Sequence, residues 1–354
     1  MANTILVAAG GTGGHLFPGI AVADELRRRD PETRVLFVGT ARGLESRLVP
    51  RAGYELALLP ILPLNGVGVW RALKGLLVLP WALLRAVALV VHAKPRAVLG
   101  IGGYAGGPLV LVAALMRVHT VILEPNPKPG FTNRVLRPFV RRAACSYEEA
   151  RAVIGAKGVL TGHPVRGGFA RSPGKAHASP FTVLVFGGSQ GSRVLNQAVA
   201  SALPHLPHDV LFVHQTGPAM FDSVSEAHRQ AGRAAEIAPF LDDMEARIAA
   251  ADLVVCRSGA TTCAEITVAG RASVLVPFAQ AADDHQRVNA AALQAAGAAV
   301  MLEEKDLKGE SLARAIVETL RTPGRLEAME GAARSLGRPD AAARVADLLE
   351  DARV

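Results

Sequence analysis

The sequence predicts an α/β fold of two similar halves, each built on a parallel sheet, with a cleft between them. Three observations carry that expectation. Short apolar runs alternate with amphipathic ones along most of the chain, the pattern that successive strand–helix–strand units produce. Glycine-rich turns stand between such runs at Gly10-Gly11-Thr12-Gly13-Gly14-His15 and again, about halfway along, at Gly187-Gly188-Ser189-Gln190-Gly191-Ser192. A chain of 354 residues is also too long for one ordinary core and suits two domains.

Taken in order, Thr4 to Ala9 is a short apolar run suited to a buried parallel strand. Pro18 to Arg29 repeats apolar residues at Ile20, Val22, Ala23 and Leu26 with charges opposite, which predicts a helix. Val35 to Val38 is the next strand, completing a βαβ unit and implying a parallel sheet. From Leu56 to Val91 the chain turns strongly apolar. Trp70, Leu73, Leu77, Trp81, Leu84, Ala88 and Val91 recur at three- and four-residue steps, Arg71, Lys74 and Arg85 flank them, and Pro80 is expected to kink or divide the helix. That stripe fits a core helix packed on the sheet, with its basic side chains reaching to solvent. It equally fits a segment lying on a membrane surface.

Ala97 to Met116 is uncharged and long enough to span a bilayer. Five glycines and one proline in its middle read better as strand, glycine loop and buried helix. Thr120 to Leu123 is a strand that runs into the proline-stiffened turn Glu124 to Gly130. Asn126 there occupies the edge at which open α/β sheets bind ligands. Gly155 to Pro180 reads as the linker. The second half restarts with strands at Thr182 to Phe186, Val210 to Gln215, Leu253 to Cys256 and Ser273 to Pro277. Helices are expected from about Val194, over Met244 to Ala251 and over Thr262 to Ala269, with a helical tail from Leu312. Its last stretch, from about Ala341, is expected to cross back over the first domain.

The charge balance, 39 Lys and Arg against 31 Asp and Glu, favours an anionic partner: a phosphorylated ligand, an anionic membrane or nucleic acid. Nucleic acid is disfavoured, because aromatics make up 5% of the chain and no basic stretch is interleaved with stacking residues. Cys145, Cys256 and Cys263 show neither a CxxC nor a ligand-spaced cluster, which predicts free thiols in a reducing compartment. Gly10 to Gly14 interrupt the first apolar run almost at once, so no export signal is expected.

Neither familiar nucleotide motif is present. A P-loop needs a closing Gly-Lys-Ser/Thr, and the dinucleotide fingerprint fails at Leu16. What remains are glycine loops near residues 12, 104 and 189, each able to bring backbone N–H groups close to a diphosphate or a sugar. Arg257 is positioned to attract a phosphate, and Glu265, a turn into the next helix, to accept from a ribose diol. His15 has two readings, a general base at a sheet edge or a histidine that braces the loop.

Gly10-Gly11-Thr12-Gly13-Gly14-His15-Leu16-Phe17-Pro18-Gly19, Gly102-Gly103-Tyr104, Gly187-Gly188-Ser189-Gln190-Gly191, Cys256-Arg257-Ser258-Gly259-Ala260 and His285-Gln286 occur together and in order. In that combination the chain closely resembles the MurG family, bacterial enzymes that transfer N-acetylglucosamine (GlcNAc) from UDP-GlcNAc to lipid I, an undecaprenyl-diphosphate-linked muramoyl peptide. The resemblance runs from about residue 5 to at least 300. It implies a GT-B fold of two Rossmann-like domains, residues 1–162 binding the acceptor and the membrane and residues 163–340 binding UDP-GlcNAc, with residues 341–354 as a helix returning to the first.

Carried over by position, the donor site comprises Thr12, Gly13, Gly14, Asn126, Arg166, Ser189, Leu241, Arg257, Ala260, Thr261, Thr262, Cys263, Ala264, Glu265, His285 and Gln286. Within it, the resemblance gives Glu265 the ribose, Ser189 the diphosphate and Leu241 the uracil. Gly13, Gly14, Gly102, Gly103 and Tyr104 would hold the acceptor diphosphate, and His15 would take the proton of the acceptor's C4 hydroxyl in an inverting transfer. Trp70, Arg71, Lys74, Leu77, Trp81, Leu84 and Arg85 would form the membrane patch. The implied partners are UDP-GlcNAc, lipid I, an anionic membrane surface and cell-wall synthesis proteins, at the cytoplasmic side of the inner membrane. No DxD motif is present, and neither a metal nor another cofactor is expected. The family often has Glu-Gln-Asn where this chain has Glu124-Pro125-Asn126, and Gly-Asn-Pro-Val-Arg where it has Gly162-His163-Pro164-Val165-Arg166, so roles attached to Pro125 and His163 do not carry over. Two rivals share the scaffold: a transferase acting on another lipid, such as diacylglycerol, and a UDP-GlcNAc 2-epimerase. A sugar-nucleotide-binding protein without catalysis is a third reading.

Overall fold

The computed structural model of the chain describes residues 3–10, 13–41, 43–61, 69–169 and 175–351. The chain divides into two units, Met1–Arg166 with Arg338–Val354, and Gly167–Gly337. The break after Arg166 lies inside the glycine- and proline-rich stretch from Gly155 to Pro180.

In the first unit, strands β1 (Thr4–Ala8), β2 (Arg34–Gly39), β3 (Glu55–Leu58), β4 (Ala97–Gly100), β5 (His119–Glu124), β6 (Arg142–Cys145) and β7 (Gly158–Leu160) form a parallel sheet in the order β3-β2-β1-β4-β5-β6-β7. Register follows the apolar runs, with Leu6 beside Leu36 on one side and Val98 on the other. Helices α1 (Gly13–Arg29), α2 (Glu45–Arg51), α3 (Val69–Ala93), α4 (Gly103–Leu115), α5 (Phe131–Leu136) and α6 (Glu148–Ile154) make the connections. Alternate residues of the central strands face opposite layers, so both faces are apolar, as a doubly covered parallel sheet requires. Ile5, Val7 and Leu99 pack on Leu16, Ile20, Ala23 and Leu26 of α1. Leu6, Ala8 and Val98 pack on Ala86 and Val90 of α3 and Leu109, Val110 and Ala113 of α4.

The second unit repeats the plan with β8 (Phe181–Phe186), β9 (Val210–Gln215), β10 (Ala235–Ala238), β11 (Leu253–Cys256), β12 (Ser273–Leu275) and β13 (Ala299–Met301), ordered β10-β9-β8-β11-β12-β13. Its helices are α7 (Arg193–Ala202), α8 (Phe221–Gln230), α9 (Met244–Ala250), α10 (Ala260–Ala269), α11 (His285–Ala295), α12 (Gly309–Arg321) and α13 (Arg325–Leu336). Val183, Val185, Phe212 and Val255 of the sheet bury Leu195 and Val199 of α7 and Leu312 and Ile316 of α12. The closing helix, α14 (Ala341–Glu350), returns to the first unit, where Val345, Ala346 and Leu349 join the α1 face of the core. Arg29 at the end of α1 fastens it, bonding Asp347 and Glu350 at 2.7 Å each and the Ala343 carbonyl at 2.9 Å.

Two expectations change, and of the two readings of the α3 stripe the core-packing one fails. Helix α1 begins at Gly13, ahead of Pro18, so His15 lies in its first turn. Helix α3 is one element from Val69 to Ala93, and Pro80 does not divide it. The apolar stripe of α3 is also not its packing face. Leu77 is 81% exposed, Trp81 55% and Leu84 62%, while Ala82, Ala86 and Val90 are buried. Small alanines allow close approach to neighbouring layers, so the large apolar residues point outward. The Ala97 to Met116 window is strand, turn and helix as expected, and among the described residues no helix is long and apolar enough to cross a membrane.

Two buried histidines give the second unit an acid limit. His214 on β9 bonds Asn196 through Nε2 at 3.1 Å and lies edge-on to His228 of α8. Burial lowers the imidazole pKa values to about 3 for His214, where the nearby His228 adds to the effect, and to about 4 for His228. Between pH 6.5 and those values the unfolded chain binds protons that the folded chain does not, so this contribution is intact above pH 6.5 and is lost as pH falls. Urea unfolding at pH 5 should show a loss of up to ~2 kcal/mol per histidine relative to pH 7.5. His228→Leu should flatten that slope, and an unaltered slope would show that His228 does not contribute.

Candidate functional site

Both sheets reverse their strand order at the first strand, between β1 and β4 in one unit and between β8 and β11 in the other. Open α/β sheets place ligands at such switch points, outside the carboxyl ends of the strands. In the first unit β4 runs through Gly102 and Gly103, both at positive φ, directly into α4. A β-carbon on Gly103 would stand 3.2 Å from the Gly10 carbonyl oxygen and 3.5 Å from His15 Nδ1, tighter than ordinary packing against the carbonyl. Glycine is therefore required where this turn meets the β1–α1 loop, and the His15 ring lies against it. The first turns of α1 and α4 carry no acidic residue, so their N–H groups leave partial positive charge at this edge.

A buried carboxylate shapes the neighbouring turn. Glu124, at the end of β5, accepts from Asn126 N at 3.0 Å, Gly130 N at 2.9 Å and Asn133 Nδ2 at 2.8 Å. Burial raises its pKa, and these hydrogen bonds oppose the rise. Asn133 also borders Gly102, its Nδ2 lying 4.0 Å from where a β-carbon would be. Glu124 and Asn133 were not among the sequence-derived site residues; an acid ending an otherwise apolar strand is the signal that points to them. The Arg166 guanidinium lies 4.5 Å over the Phe17 ring. His163 is buried beside Ser146 Oγ at 3.4 Å, and burial, with His15 nearby, lowers its pKa to about 3.

In the second unit the loop after β8 carries Ser189 and ends at Ser192, whose Oγ caps α7 by accepting from Leu195 N. A β-carbon on Gly191 would lie 2.0 Å from the Thr216 carbonyl oxygen, so this loop and the one after β9 touch backbone to backbone. Gln215 joins three segments there. Its Nε2 donates to the Gly188 carbonyl at 2.9 Å, and its Oε1 accepts from Leu241 N at 2.9 Å. Leu241 is buried, and Asn196 donates to the Thr216 carbonyl at 2.8 Å.

Beyond β11, Arg257 pairs with Glu304 at 2.5 Å and donates to the Val276 and Pro277 carbonyls, so its charge is already neutralised. Gly259 leads into α10, where Thr261, Cys263 and Glu265 are buried and Ala260, Thr262 and Ala264 are half-buried. Burial pushes the Cys263 thiol up to about 12. His285 and Gln286 open α11. Gln286 accepts from Phe278 N through Oε1 and from Ser258 Oγ through its carbonyl, while Asn289 donates to the Ser258 carbonyl. Gln215, Asn196 and Asn289 are further residues that sequence reasoning missed.

Thr12 lies outside the described residues, as do the side chains of Trp70, Arg71, Lys74 and Tyr104. The rest of the expected set falls by unit. Gly13, Gly14, His15, Gly102, Gly103, Asn126 and Arg166 are in the first, and Ser189, Leu241, Arg257, Ala260 to Glu265, His285 and Gln286 in the second. Leu77, Trp81, Leu84 and Arg85 share the exposed side of α3, with the Arg85 guanidinium 5.5 Å from the Trp81 ring centre. Among the described residues, no group of three or more His, Cys, Asp or Glu side chains is placed to hold a metal.

Two doubly wound units, each with a glycine-bounded turn at its switch point, have the architecture of the GT-B fold, and the matches to family models make the chain a glycosyltransferase. Residues 5–145 match the glycosyltransferase family 28 N-terminal domain and residues 182–345 the family 28 C-terminal domain. A Myxococcus xanthus relative is 48% identical over 99% of this chain and 93% of its own length. It is named UDP-N-acetylglucosamine--N-acetylmuramyl-(pentapeptide) pyrophosphoryl-undecaprenol N-acetylglucosamine transferase. The crystal structure of Acinetobacter baumannii MurG superposes with a TM-score of 0.79 at 29% identity, over 99% of each chain. A UDP-GlcNAc 2-epimerase from Neisseria meningitidis shares the fold alone, at 12% identity and a TM-score of 0.67, over 98% of this chain and 100% of its own. The chain belongs to glycosyltransferase family 28 and, within it, to the MurG family.

Gln215→Leu removes a donor and an acceptor from this buried junction. The variant should lose about 1–3 kcal/mol of stability, the usual cost of unpaired buried backbone groups. Amide exchange should accelerate at Leu241, and a variant with wild-type exchange there would show that Gln215 is not the tie.

Proposed function

We infer that this protein transfers GlcNAc from UDP-GlcNAc to the muramoyl sugar of lipid I, giving lipid II and UDP in peptidoglycan synthesis. The near full-length identity to transferases of that name carries the reading. The epimerase alternative has the fold alone in its support.

The proposed chemistry assigns the two crevices different tasks. UDP-GlcNAc binds the second unit, with Ser189 at the diphosphate, Glu265 at the ribose and Leu241 at the uracil. The first-turn N–H groups of α7 and α10 favour the charge that UDP gains as it leaves. Arg257, neutralised by Glu304, positions the β11–α10 turn. The acceptor diphosphate binds at the turns of Gly13, Gly14, Gly102 and Gly103. His15 accepts the C4 hydroxyl proton as that oxygen forms its bond to the anomeric carbon and the bond to UDP breaks, inverting the configuration. Support for His15 comes from its contact with the Gly102–Gly103 turn. The outward stripe of α3, with Arg85 beside it, serves as the contact with the anionic cytoplasmic face of the membrane.

Incubation with UDP-GlcNAc and a short-chain lipid I analogue should yield disaccharide and UDP. Formation of UDP-ManNAc without acceptor would identify an epimerase, and binding without turnover a carrier. His15→Ala should lower kcat by about 10²–10⁴-fold while donor affinity stays nearly constant. Loss of donor binding instead would make His15 a brace of the loop. Replacing Trp81 and Leu84 with Ser and Arg85 with Glu should reduce sedimentation with anionic liposomes while transfer to the soluble acceptor persists. Undiminished sedimentation would remove α3 from the membrane contact.

A further inference from the structure

Three segments of the second unit meet at the carboxyl end of β9, and the amide of its last residue, Gln215, joins the other two. Its Nε2 donates to the Gly188 carbonyl at 2.9 Å, and its Oε1 accepts from Leu241 N at 2.9 Å. The same carbonyl accepts from Gly191 N at 3.0 Å. Gly188 has a φ of +95°, and a β-carbon there would meet no atom within 4 Å. On that side no packing holds the loop, so its hydrogen bonds set its course. A peptide group is planar and trans, and its N–H points opposite to its carbonyl. With the Gly188 carbonyl drawn toward β9, the N–H of Ser189 is therefore turned away from the strand.

The fold does not require this bridge. In the first unit β2 has the place that β9 has in the second, between the strand at the switch point and the edge strand. It ends at Gly39, which has no side chain to reach its neighbours. The amide thus answers to what the second unit binds, since the doubly wound plan is completed without it.

We propose that Gln215 is a positioning residue for the nucleotide, holding the loop of Ser189 and the segment of Leu241 at a fixed separation so that one UDP engages both. The proposal rests on the donor-site reading above, in which Ser189 meets the diphosphate and Leu241 the uracil. Two contacts on one ligand reinforce each other only when their sites stand at the separation the ligand spans. A side chain bonded to both sites sets that separation before the ligand arrives, and such pre-organisation lowers the cost of binding. Uridine has no phosphates, so it needs the Leu241 segment and not the Ser189 loop. UDP needs both, and the gain from its diphosphate depends on the bridge.

The test measures the dissociation constants of uridine and of UDP by calorimetry on the full chain, without acceptor. Their ratio reads what the diphosphate adds. Gln215→Met keeps the length of the side chain and removes both hydrogen bonds. It should lower the uridine-to-UDP ratio about tenfold, equivalent to about 1.4 kcal/mol. Gln215→Glu keeps an acceptor for Leu241 N and loses the donor to Gly188. Its affinity for uridine should stay near that of the wild type while its affinity for UDP falls about tenfold. Methionine is neutral, so a loss shared by both variants is not repulsion between a carboxylate and the diphosphate. Uridine binding also shows that the second unit of a variant is folded. A wild-type ratio in Gln215→Met, or loss of uridine binding in both variants, would overturn the positioning role and leave Gln215 a residue of stability alone. A wild type that binds UDP no more tightly than uridine would overturn the donor-site reading, and the proposal with it.

Discussion

Everything at the carboxyl edges of the two sheets depends on backbone approaching backbone where no side chain fits. Gly103 meets the Gly10 carbonyl in the first unit, and Gly191 meets the Thr216 carbonyl in the second. Within each unit these contacts bring neighbouring strand–helix loops together at the switch point, so the N–H groups of that unit's helix first turns gather at its own sheet edge. They also give the His15 ring a wall to lie against, which limits its freedom before any ligand arrives. A side chain held in this way needs less ordering when a ligand arrives than one on a free loop.

Around these crevices the protein uses buried polar groups as ties, each satisfied by several partners. Glu124 gathers the turn after β5, and Gln215 joins the loops after β8, β9 and β10. Below the second sheet, Arg271 pairs with Glu330 at 2.8 Å and donates to the Ile248 and Ala249 carbonyls, while His177 and Lys175 bond Asp252. That network fastens the segment entering β8 to α9 and α13. Removal of one partner from so buried a pair strands the other charge, the costliest way to break it.

Much of the fold was legible in the sequence where strands are continuous apolar runs. Val210 to Gln215 and Leu253 to Cys256 appear with the bounds read from their residues. Strands β3, β6, β7, β10 and β13 were missed because short segments such as Arg-Ala-Ala-Cys lack the continuous β-branched and apolar run that marks the equally short Leu253 to Cys256. Pro18 misplaced the start of α1, because proline in an opening turn is the usual sign of a helix beginning. Helix α3 was ambiguous for a different reason: it is apolar nearly all round, and periodicity finds a stripe without saying which side packs. Burial of Ala82 and Ala86 decides it, and only the partner layer makes that visible. The glycine loops were legible because Gly103 and Gly191 stand where backbone meets backbone and a β-carbon does not fit, whereas Gln215, Asn196 and Asn289 act across distant segments and leave no local pattern.

The return of α14 makes the second unit an insertion within the first. On a ribosome, α1 and its sheet therefore emerge well before the helix that covers them. The intervening stretch of about 170 residues takes on the order of 10–30 s to synthesise. Through that interval the surface awaiting Val345, Ala346 and Leu349 stays open, and closing it requires Arg29 to capture a partner some 320 positions later in the chain. The speed with which the inserted unit folds thus sets how long a nascent apolar face remains available for aggregation or for a chaperone.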